Sequence, residues 1–250
     1  MSILWERRSG GNCYQVRQAG HSRRLYTNGV FHSQYNPHRP LTGSVWDLLF
    51  LPAFFYPAGS IRRVLVLGVG GGAVIRQLHR FVKPAEILGI ELNPVHITLA
   101  RRFFDVKGEG VRLQQADAVD WVRDWRGAPF DMIIDDLFSD QGGEAQRAVA
   151  AGPEWAQALL ACLAPGGLLV SNFASRLELE VSAYLTLPAC RRRIRSAFRL
   201  ETAQNYNAVG AFLDQAVTTA NLRRRLRASR ELDPRRKSSR LAYRIRTLWS

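Results

Sequence analysis

One short stretch constrains the fold of this chain more than any other, the segment VLVLGVGGGAVIRQL at residues 64–78. Its first residues predict a buried strand, its glycines predict a sharp turn, and the residues that follow predict a helix. Gly68, Gly70, Gly71 and Gly72 carry no side chains, so a ligand can approach the backbone at this turn. Glycines also form ordinary tight turns, so the meaning of the motif depends on the pattern around it.

Apolar strands alternate with helical stretches after this glycine turn. The strands are predicted at residues 63–68, 86–91, 111–115, 130–135 and 168–173, with a late strand at 207–214. The helices are predicted at residues 44–56, 72–82, 94–104, 117–124, 153–164 and 177–197, the last with a kink at Pro188. This alternation predicts a Rossmann-like α/β fold, in which a mostly parallel sheet of seven strands has helices on both faces.

Three segments differ in pattern. Residues 1–42 contain short alternating stretches separated by Ala-Gly and Asn-Gly, which predicts a small N-terminal β-hairpin element. Residues 43–217 form the predicted Rossmann-like domain. Residues 218–250 are predicted to be an Arg-rich C-terminal tail, because residues 221–250 alone hold 11 Lys and Arg against 2 Asp and Glu. This tail is either a solvated extension or a weak contact for nucleic acid or an anionic surface.

Cysteine and histidine usage restricts the class of protein. The three cysteines, Cys13, Cys162 and Cys190, form no CxxC pair, and the histidines show no metal-ligand spacing. These features disfavour a disulfide framework and a metal site, and they favour a reducing compartment. We therefore expect no bound metal. The N-terminal residues lack the apolar core of a signal peptide, so we also expect a cytoplasmic protein.

Acidic residues follow three of the predicted strands. Glu91 ends the second strand, 21 residues after Gly70, where a carboxylate can accept both ribose hydroxyls of a nucleoside. Asp117 follows the third strand and can reach an adenine amino group, cap the next helix, or do both. The fourth strand ends in Asp135 and Asp136, which face opposite ways, so at most one enters the crevice. We favour Asp136, because it ends the strand and opens the loop.

Together these features resemble the class I S-adenosylmethionine-dependent methyltransferase superfamily and, within it, the spermidine synthase-like branch. The resemblance runs from about Tyr14 to Asp214. It is carried by VLVLGVGGGAVIRQL, IELNP, the Ala-Asp after the third strand, FDMIIDDLF and LAPGGLLVSNF. The segment LYTNGVFHSQ also resembles the N-terminal hairpin of spermidine synthases, which most plain methyltransferases lack.

The resemblance implies a set of site residues. Gly68, Gly70 and Gly72 would cradle the methionine part of the adenosyl ligand, with Glu91 on the ribose and Asp117 on the adenine. Asp136 matches the aspartate that helps aminopropyltransferases deprotonate the attacking amine, and it is the candidate catalytic residue. The implied ligand-binding set is Gly68, Gly70, Gly71, Gly72, Glu91, Asp117 and Asp136.

The chain departs from the spermidine synthase pattern at three places. Gly71 stands where those enzymes have an aspartate, the loop after Asp136 lacks their second acid, and their Tyr-His pair, which falls near Ser44-Val45, is missing. An acid at position 71 would pair with the ammonium of decarboxylated S-adenosylmethionine and repel the carboxylate of S-adenosylmethionine itself. The sequence therefore favours S-adenosylmethionine and transfer of its methyl group to an unidentified small-molecule acceptor.

Two other functions stay open at this point. One is a polyamine aminopropyltransferase, or spermidine synthase, which uses decarboxylated S-adenosylmethionine. The other is a non-catalytic protein that binds a nucleotide or another anion. The segment from Leu137 to Pro153, which contains Gly142 and Gly143, is either a lid over the pocket or a passive loop. A homodimer is a candidate assembly.

Overall fold

The structure, a computed structural model, describes residues 1–139 and 145–250. It contains a small antiparallel N-terminal sheet and a large, mostly parallel sheet. Val64 and Val66 of one central strand pack into one hydrophobic cluster, and Leu65 and Leu67 pack into another. Because successive side chains of a strand point to opposite faces, both faces of the large sheet are covered. The Rossmann-like α/β fold is therefore confirmed.

The N-terminal sheet has four strands in the order β1-β2-β3-β4. Their bounds are Ser2–Ser9, Asn12–Ala19, Ser22–Thr27 and Val30–Tyr35. Asn28 and Gly29 connect β3 to β4 with φ angles of 51° and 84°, as a two-residue hairpin turn with matching twist requires. The sequence did not predict β1, whose side chains are mostly exposed and show no apolar alternation.

The large sheet has eight strands in the order β14-β12-β13-β11-β8-β5-β6-β7. Their bounds, in chain order, are β5 Arg63–Leu67, β6 Glu86–Glu91, β7 Val111–Gln115, β8 Phe130–Asp135, β11 Leu163–Phe173, β12 Ser196–Glu201, β13 Ala208–Leu213 and β14 Arg244–Trp249. The five strands from β11 to β7 pair in parallel, whereas β13, β12 and β14 pair antiparallel. Two short strands, β9 Phe138–Ser139 and β10 Gln146–Arg147, form a separate antiparallel pair.

Helices connect the strands at positions close to the predicted ones. They are α1 Val45–Phe50, α2 Ala73–Gln77, α3 Pro94–Phe103, α4 Ala118–Asp124, α5 Pro153–Cys162, α6 Arg176–Val181, α7 Ala183–Thr186, α8 Pro188–Arg193 and α9 Thr219–Arg227. A 3₁₀ turn at Leu51–Phe55 extends α1, and a π-helical turn at Leu78–Val82 extends α2. In the part of the chain that the structure describes, none of the helices combines the length and the apolar character that crossing a membrane requires.

The prediction of one kinked helix over residues 177–197 is wrong about its continuity and about its last residues. The structure has three short helices there, and β12 already begins at Ser196. Ser196 and Arg199 are buried in that strand, at 0% and 6% exposure. These two polar residues hide the apolar run by which a buried strand is usually recognised.

The C-terminal segment is not the detached tail that its arginines predict. Helix α9 buries Leu222 and Leu226 and packs against the 3₁₀ turn at Leu51–Phe55. Strand β14 then pairs with β12 and forms the eighth strand of the sheet, one more than predicted. The two leucines recur at a helical spacing of four residues, but the arginines around them dominate the composition. The residue bounds of the three predicted segments remain predictions.

Candidate functional site

A cleft lies where the carboxyl ends of β5, β6 and β8 meet. In the sheet, β5 lies between β6 and β8. The chain runs from β5 to β6 and β7 on one side and then returns to β8 on the other side, so the strand order reverses at β5. Crevices at such reversals are the usual ligand sites of open α/β sheets. The cleft has a volume of about 390 Å³, and the N-terminal sheet closes its far side. A larger groove of about 1090 Å³ lies between α4 and α5, but none of the predicted site residues lines it.

The glycine turn brings two strand ends into contact. Gly68 has φ +83°, and a Cβ atom there would lie 2.3 Å from the carbonyl oxygen of Asp136. Any side chain at position 68 would therefore push β5 and the end of β8 apart. The turn needs glycine at this position for the close approach of two backbones as well as for its conformation.

Glu91 holds the glycine turn in place. Its Oε2 atom accepts hydrogen bonds from the backbone N–H groups of Val69 and Gly70, both at 2.9 Å, and its Oε1 atom accepts one from Asn93. Burial alone would raise the pKa of Glu91, but the nearby His96 and the backbone donors of Asn93 and Gly70 outweigh burial and hold it at about 2. Glu91 is therefore a carboxylate over the whole physiological range.

His96 links Glu91 to the N-terminal sheet. Its Nδ1 atom lies 3.7 Å from Oε1 of Glu91, and its Nε2 atom lies 2.8 Å from the Thr27 hydroxyl. Asn93 reinforces the connection by donating a hydrogen bond from its side chain to the Tyr14 hydroxyl. The sequence analysis missed His96, because no spacing rule marks a histidine that contacts a strand 69 residues earlier in the chain.

Asp136 lies at the end of β8 and lines the same cleft. The Asn172 side-chain amide donates a hydrogen bond to its Oδ1 atom at 2.7 Å, and Asn207 in turn donates to Oδ1 of Asn172 at 3.1 Å. Burial raises the pKa of Asp136 to about 7, and the charges of Asp135 and Glu91 add to this, against the opposing effects of Asn172 and Arg147. A carboxyl group with this pKa gains and loses a proton near neutral pH.

Asp135 points away from the cleft, as the alternation of a strand requires. It is fully buried, and its Oδ2 atom accepts hydrogen bonds from Arg147, Trp155 and Ser171. Arg147 comes from the segment between Leu137 and Pro153, whose glycines Gly142 and Gly143 lie outside the described residues. The described part of this segment is thus fastened to the residue next to Asp136.

Three of the predicted site residues do not line the cleft. A Cβ atom at Gly71 would lie 2.7 Å from Ser33 and 3.2 Å from Phe104, and one at Gly72 would lie 2.4 Å from Val106. Asp117 is exposed and caps α4, where its side chain accepts hydrogen bonds from the backbone of Val119 and Asp120. The cleft brings together Gly68, Gly70, Glu91 and Asp136. Their ligand-binding and catalytic roles remain predictions.

The charge of the cleft is negative. Among its described lining residues, Glu91 is a permanent carboxylate, Asp136 becomes one as the pH rises through its pKa of about 7, two are histidines, His32 and His96, and none is lysine or arginine. Its volume lies within the range of small-molecule sites.

Comparison with known proteins agrees with the fold and the glycine turn. A family model described as a methyltransferase domain matches residues 64–167. A polyamine aminopropyltransferase 2 of Caldanaerobacter subterraneus subsp. tengcongensis is 30% identical over 104 residues, which are 40% of this chain and 34% of that protein. A spermidine synthase of Dictyostelium discoideum is 32% identical over 130 residues, which are 50% of this chain and 44% of that protein. The match thus spans less than half the length of either relative.

Solved structures share the fold over more of the chain. A probable spermidine synthase from Corynebacterium glutamicum superimposes with a TM-score of 0.73 at 17% identity, over 99% of this chain and 91% of that chain. Human methyltransferase-like protein 13 gives a TM-score of 0.56 at 20% identity, over 77% of this chain and 94% of that chain. None of these findings favours methyl transfer over aminopropyl transfer, so the sequence-based preference for methyl transfer is unsupported.

Proposed function

We propose that this chain, which belongs to the spermidine synthase-like family of the class I S-adenosylmethionine-dependent methyltransferase fold, transfers a 3-aminopropyl group from decarboxylated S-adenosylmethionine to an amine. The observation that carries the proposal is the charge of the cleft, where two acidic side chains, Glu91 and Asp136, face a cavity whose described lining contains neither lysine nor arginine. The relatives named as polyamine aminopropyltransferase and spermidine synthase support the same reaction.

The nucleoside part of this ligand fits the end of the cleft formed by the glycine turn. A carboxylate offers about four acceptor positions, and three backbone N–H groups already occupy Glu91. In our proposal a ribose hydroxyl donates to the remaining position on Oε1, the oxygen that has the Nδ1 atom of His96 3.7 Å away. Glu91 would then act twice, by holding the turn against which the ligand packs and by accepting a hydrogen bond from it.

The choice between the two sulfonium compounds depends on one charge. S-adenosylmethionine carries an ammonium and a carboxylate on its alkyl chain, whereas the decarboxylated form carries the ammonium alone. Glu91 and Asp136 would repel the carboxylate and attract the ammonium, and a partly desolvated cleft strengthens both effects. When bound, the decarboxylated compound supplies an electrophilic carbon next to its sulfonium.

Asp136 is the proposed base. A free amine at neutral pH is mostly protonated and has to lose a proton before it can attack a carbon. Asp136 takes that proton first. The neutral amine then attacks, so that a C–N bond forms as the C–S bond breaks, and the electron pair of the broken bond stays on the sulfur of a neutral thioether. Asn172 holds the carboxyl group in position through its 2.7 Å hydrogen bond.

Methyl transfer from intact S-adenosylmethionine is the second candidate. It is favoured by Gly71, which provides no carboxylate for the ammonium of the decarboxylated compound. Ser33 and Phe104 crowd this position, so the loop as folded has no room for an acid there. The negative charge of the cleft outweighs this point, because Glu91 and Asp136 line the cavity and position 71 does not.

Mass spectrometry of the products tests the proposal. The purified chain is incubated with putrescine or spermidine and with either sulfonium compound, in parallel with Asp136→Asn and with Asp120→Asn, an exposed control. We expect an aminopropyl adduct and methylthioadenosine from the decarboxylated compound, at a rate that Asp136→Asn lowers by about 100-fold or more and Asp120→Asn leaves unchanged. A methylated amine from S-adenosylmethionine alone would establish the second candidate. Binding without any product would favour the non-catalytic alternative.

A further inference from the structure

The C-terminal segment presents a group of exposed cations on a fixed framework. Eight of its basic side chains are exposed and form no ion pair with any described carboxylate. They are Arg223, Arg224, Arg227, Arg230, Lys237, Arg240, Arg244 and Arg246. In contrast, Arg235 and Arg236 of the same segment pair with Asp233. Most of the positive charge of this segment is therefore available to a partner.

Helix α9 is anchored in a way that fixes the direction of these cations. Leu222 and Leu226 are fully buried, and Arg225 donates a hydrogen bond to the carbonyl oxygen of Phe55 at 2.7 Å. Thr218 and Asn221 form a capping box at the start of the helix. The arginines on the outer side of α9 thus project from a docked helix, which reduces the entropy that binding a polyanion would cost.

An aromatic residue lies among these cations. Arg223, Tyr243 and Arg244 line one cavity of about 620 Å³ between α9 and the start of β14. Arg227 lies one helical turn after Arg223 on the same side of α9. Burial raises the pKa of the Tyr243 hydroxyl, and the charges of Arg223 and Arg227 oppose this rise. Tyr243 is half-buried, packs against the hydrophobic core on one side and lines this cavity. We call Arg223, Arg227, Tyr243 and Arg244 the C-terminal basic surface.

The choice of partner follows from what this surface lacks. An interfacial membrane helix exposes large apolar side chains that enter the bilayer. The described residues include nine exposed large hydrophobic side chains, and all of them lie before residue 218. The leucines of α9 face the protein. Arginines around a partly exposed aromatic ring are instead the combination that binds the phosphates and bases of single strands.

We propose that the C-terminal basic surface binds single-stranded nucleic acid, with phosphates on Arg223, Arg227 and Arg244 and a base stacked against Tyr243. The contacts involve backbone phosphates and a ring face, so binding is tolerant of sequence. The inference does not depend on the proposed transferase activity, because none of these residues lines the cleft.

Fluorescence anisotropy with a labelled single-stranded 20-mer tests the proposal on the full chain. The triple variant Arg223→Gln, Arg227→Gln, Arg244→Gln is compared with a control, Arg7→Gln, Arg8→Gln, Arg192→Gln, which removes the same charge from exposed sites elsewhere. We expect the first variant to bind at least about tenfold more weakly than the control. We also expect the slope of log affinity against log salt to fall by about 2, at about 0.7 for each lost phosphate contact.

Three further measurements, with Tyr243→Leu, with vesicles and with a duplex, separate this proposal from its rivals. Tyr243→Leu keeps apolar packing but removes the stacking ring, and we expect it to weaken single-strand binding by about fivefold or more. Equal affinity of the arginine variant and its control would show attraction to net charge alone and would contradict the proposal. Tighter binding to vesicles containing phosphatidylserine than to the single strand, or equal binding to a duplex, would contradict it as well.

Discussion

Glu91 and Asp136 lie in the same cleft, yet their surroundings shift their pKa values in opposite directions. Burial acts on both, but Glu91 accepts three backbone hydrogen bonds and lies near His96, whereas Asp136 accepts one from Asn172 and lies next to the Asp135 charge. Glu91 is therefore suited to a permanent negative charge, and Asp136 is suited to exchange a proton near neutral pH.

Asp136 should lower the stability of the folded protein in alkaline solution. Its pKa rises from 3.8 to about 7 on folding, so its proton favours the native state at low pH and that contribution is lost as the pH rises through about 7. Each pKa unit is worth about 1.4 kcal/mol, so Asp136→Asn should stabilise the fold by on the order of 1–4 kcal/mol at pH 8. Urea unfolding at pH 8 and pH 4 measures this.

The stabilisation by Asp136→Asn should disappear at pH 4, where Asp136 of the wild type is protonated in the native state. Activity should behave in the opposite way, rising with pH through about 7 in the wild type and being lost in the variant. A variant less stable than the wild type at pH 8 would mean that the native carboxylate is well stabilised and is not poised to accept a proton.

Glu91 offers a matched pair of variants on one strand. Glu91→Gln removes a charged acceptor from the cleft end of β6, whereas Glu86→Gln changes a carboxylate at the opposite end that pairs with Arg63 and Arg112. We expect Glu91→Gln to weaken binding of the sulfonium compound by about 1–3 kcal/mol, and Glu86→Gln to leave it unchanged. Calorimetric titration measures both. Equal affinities in variants that remain folded would place the ligand outside this cleft.

The sequence predicted some of these residues and not others for a physical reason. The alternation of a strand is local, so it correctly predicted that Asp135 and Asp136 face opposite ways. Asn172 and His96 reach the cleft by contacts with elements 36 and 69 residues away, which no local pattern encodes. Gly71 was predicted to line the site because its neighbours do, but the turn directs it toward Ser33.

At the scale of elements, Arg147 holds the described part of the segment between Leu137 and Pro153 against the ends of β8 and β11. It is buried, pairs with Asp135 and donates a hydrogen bond to the carbonyl oxygen of Asn172. Removing one partner of a buried pair leaves the other charge without compensation. We expect Arg147→Met to lower the free energy of unfolding by about 3–5 kcal/mol, with partial recovery in the double variant Arg147→Met, Asp135→Asn.

The control for this prediction is Arg176→Met, which breaks an exposed pair with Glu180 and should cost less than about 1 kcal/mol. Chemical denaturation compares all four proteins. Arg147→Met should also raise the pH at which activity appears, because the Arg147 charge opposes the rise in the pKa of Asp136. A loss of stability no larger than that of the control would show that the buried pair does not hold the segment.

Strands β12 and β14 are two elements that local sequence patterns do not predict. Both hold arginines, and β14 is an edge strand whose side chains are partly exposed, so neither resembles a buried or an alternating strand. The two strands pair with each other, so that Glu201 lies opposite Arg244 and Ala197 lies opposite Trp249. The central parallel strands were predictable because each carries its own apolar run.

Deletion of residues 241–250 tests whether the C-terminal segment is part of the domain. Leu248 and Trp249 pack against the hydrophobic cluster, and Trp249 donates a hydrogen bond to the carbonyl oxygen of Ile194. We expect the truncated chain to lose at least about 2 kcal/mol of unfolding free energy, since it also lacks the buried Leu241 and a fully buried apolar side chain contributes roughly 1.5–3 kcal/mol. The variant Arg244→Gln, Arg246→Gln keeps the strand and should stay within about 1 kcal/mol of the wild type.

At the scale of the molecule, the cleft lies between the two sheets. Arg76 connects them by donating hydrogen bonds to the carbonyl oxygens of Gly71, Phe104 and Gln34, which belong to the glycine turn, the end of α3 and β4. Burial lowers the pKa of this guanidinium to about 10, and its ring neighbour is Tyr35. The hairpin strands of the small sheet and the central parallel strands of the large sheet could be predicted from their periodicities. The contacts that join the two sheets run from a side chain to backbone carbonyls and have no sequence signature.

Calorimetric titration of the wild-type chain with decarboxylated S-adenosylmethionine and with S-adenosylmethionine tests the central claim most directly. We predict that both sulfonium compounds compete for one site. Because the cleft is negatively charged, the decarboxylated compound should bind at least about tenfold more tightly, which corresponds to about 1.4 kcal/mol. Tighter binding of S-adenosylmethionine would contradict this account and restore methyl transfer, and the absence of binding by either compound would contradict the assignment of the cleft itself.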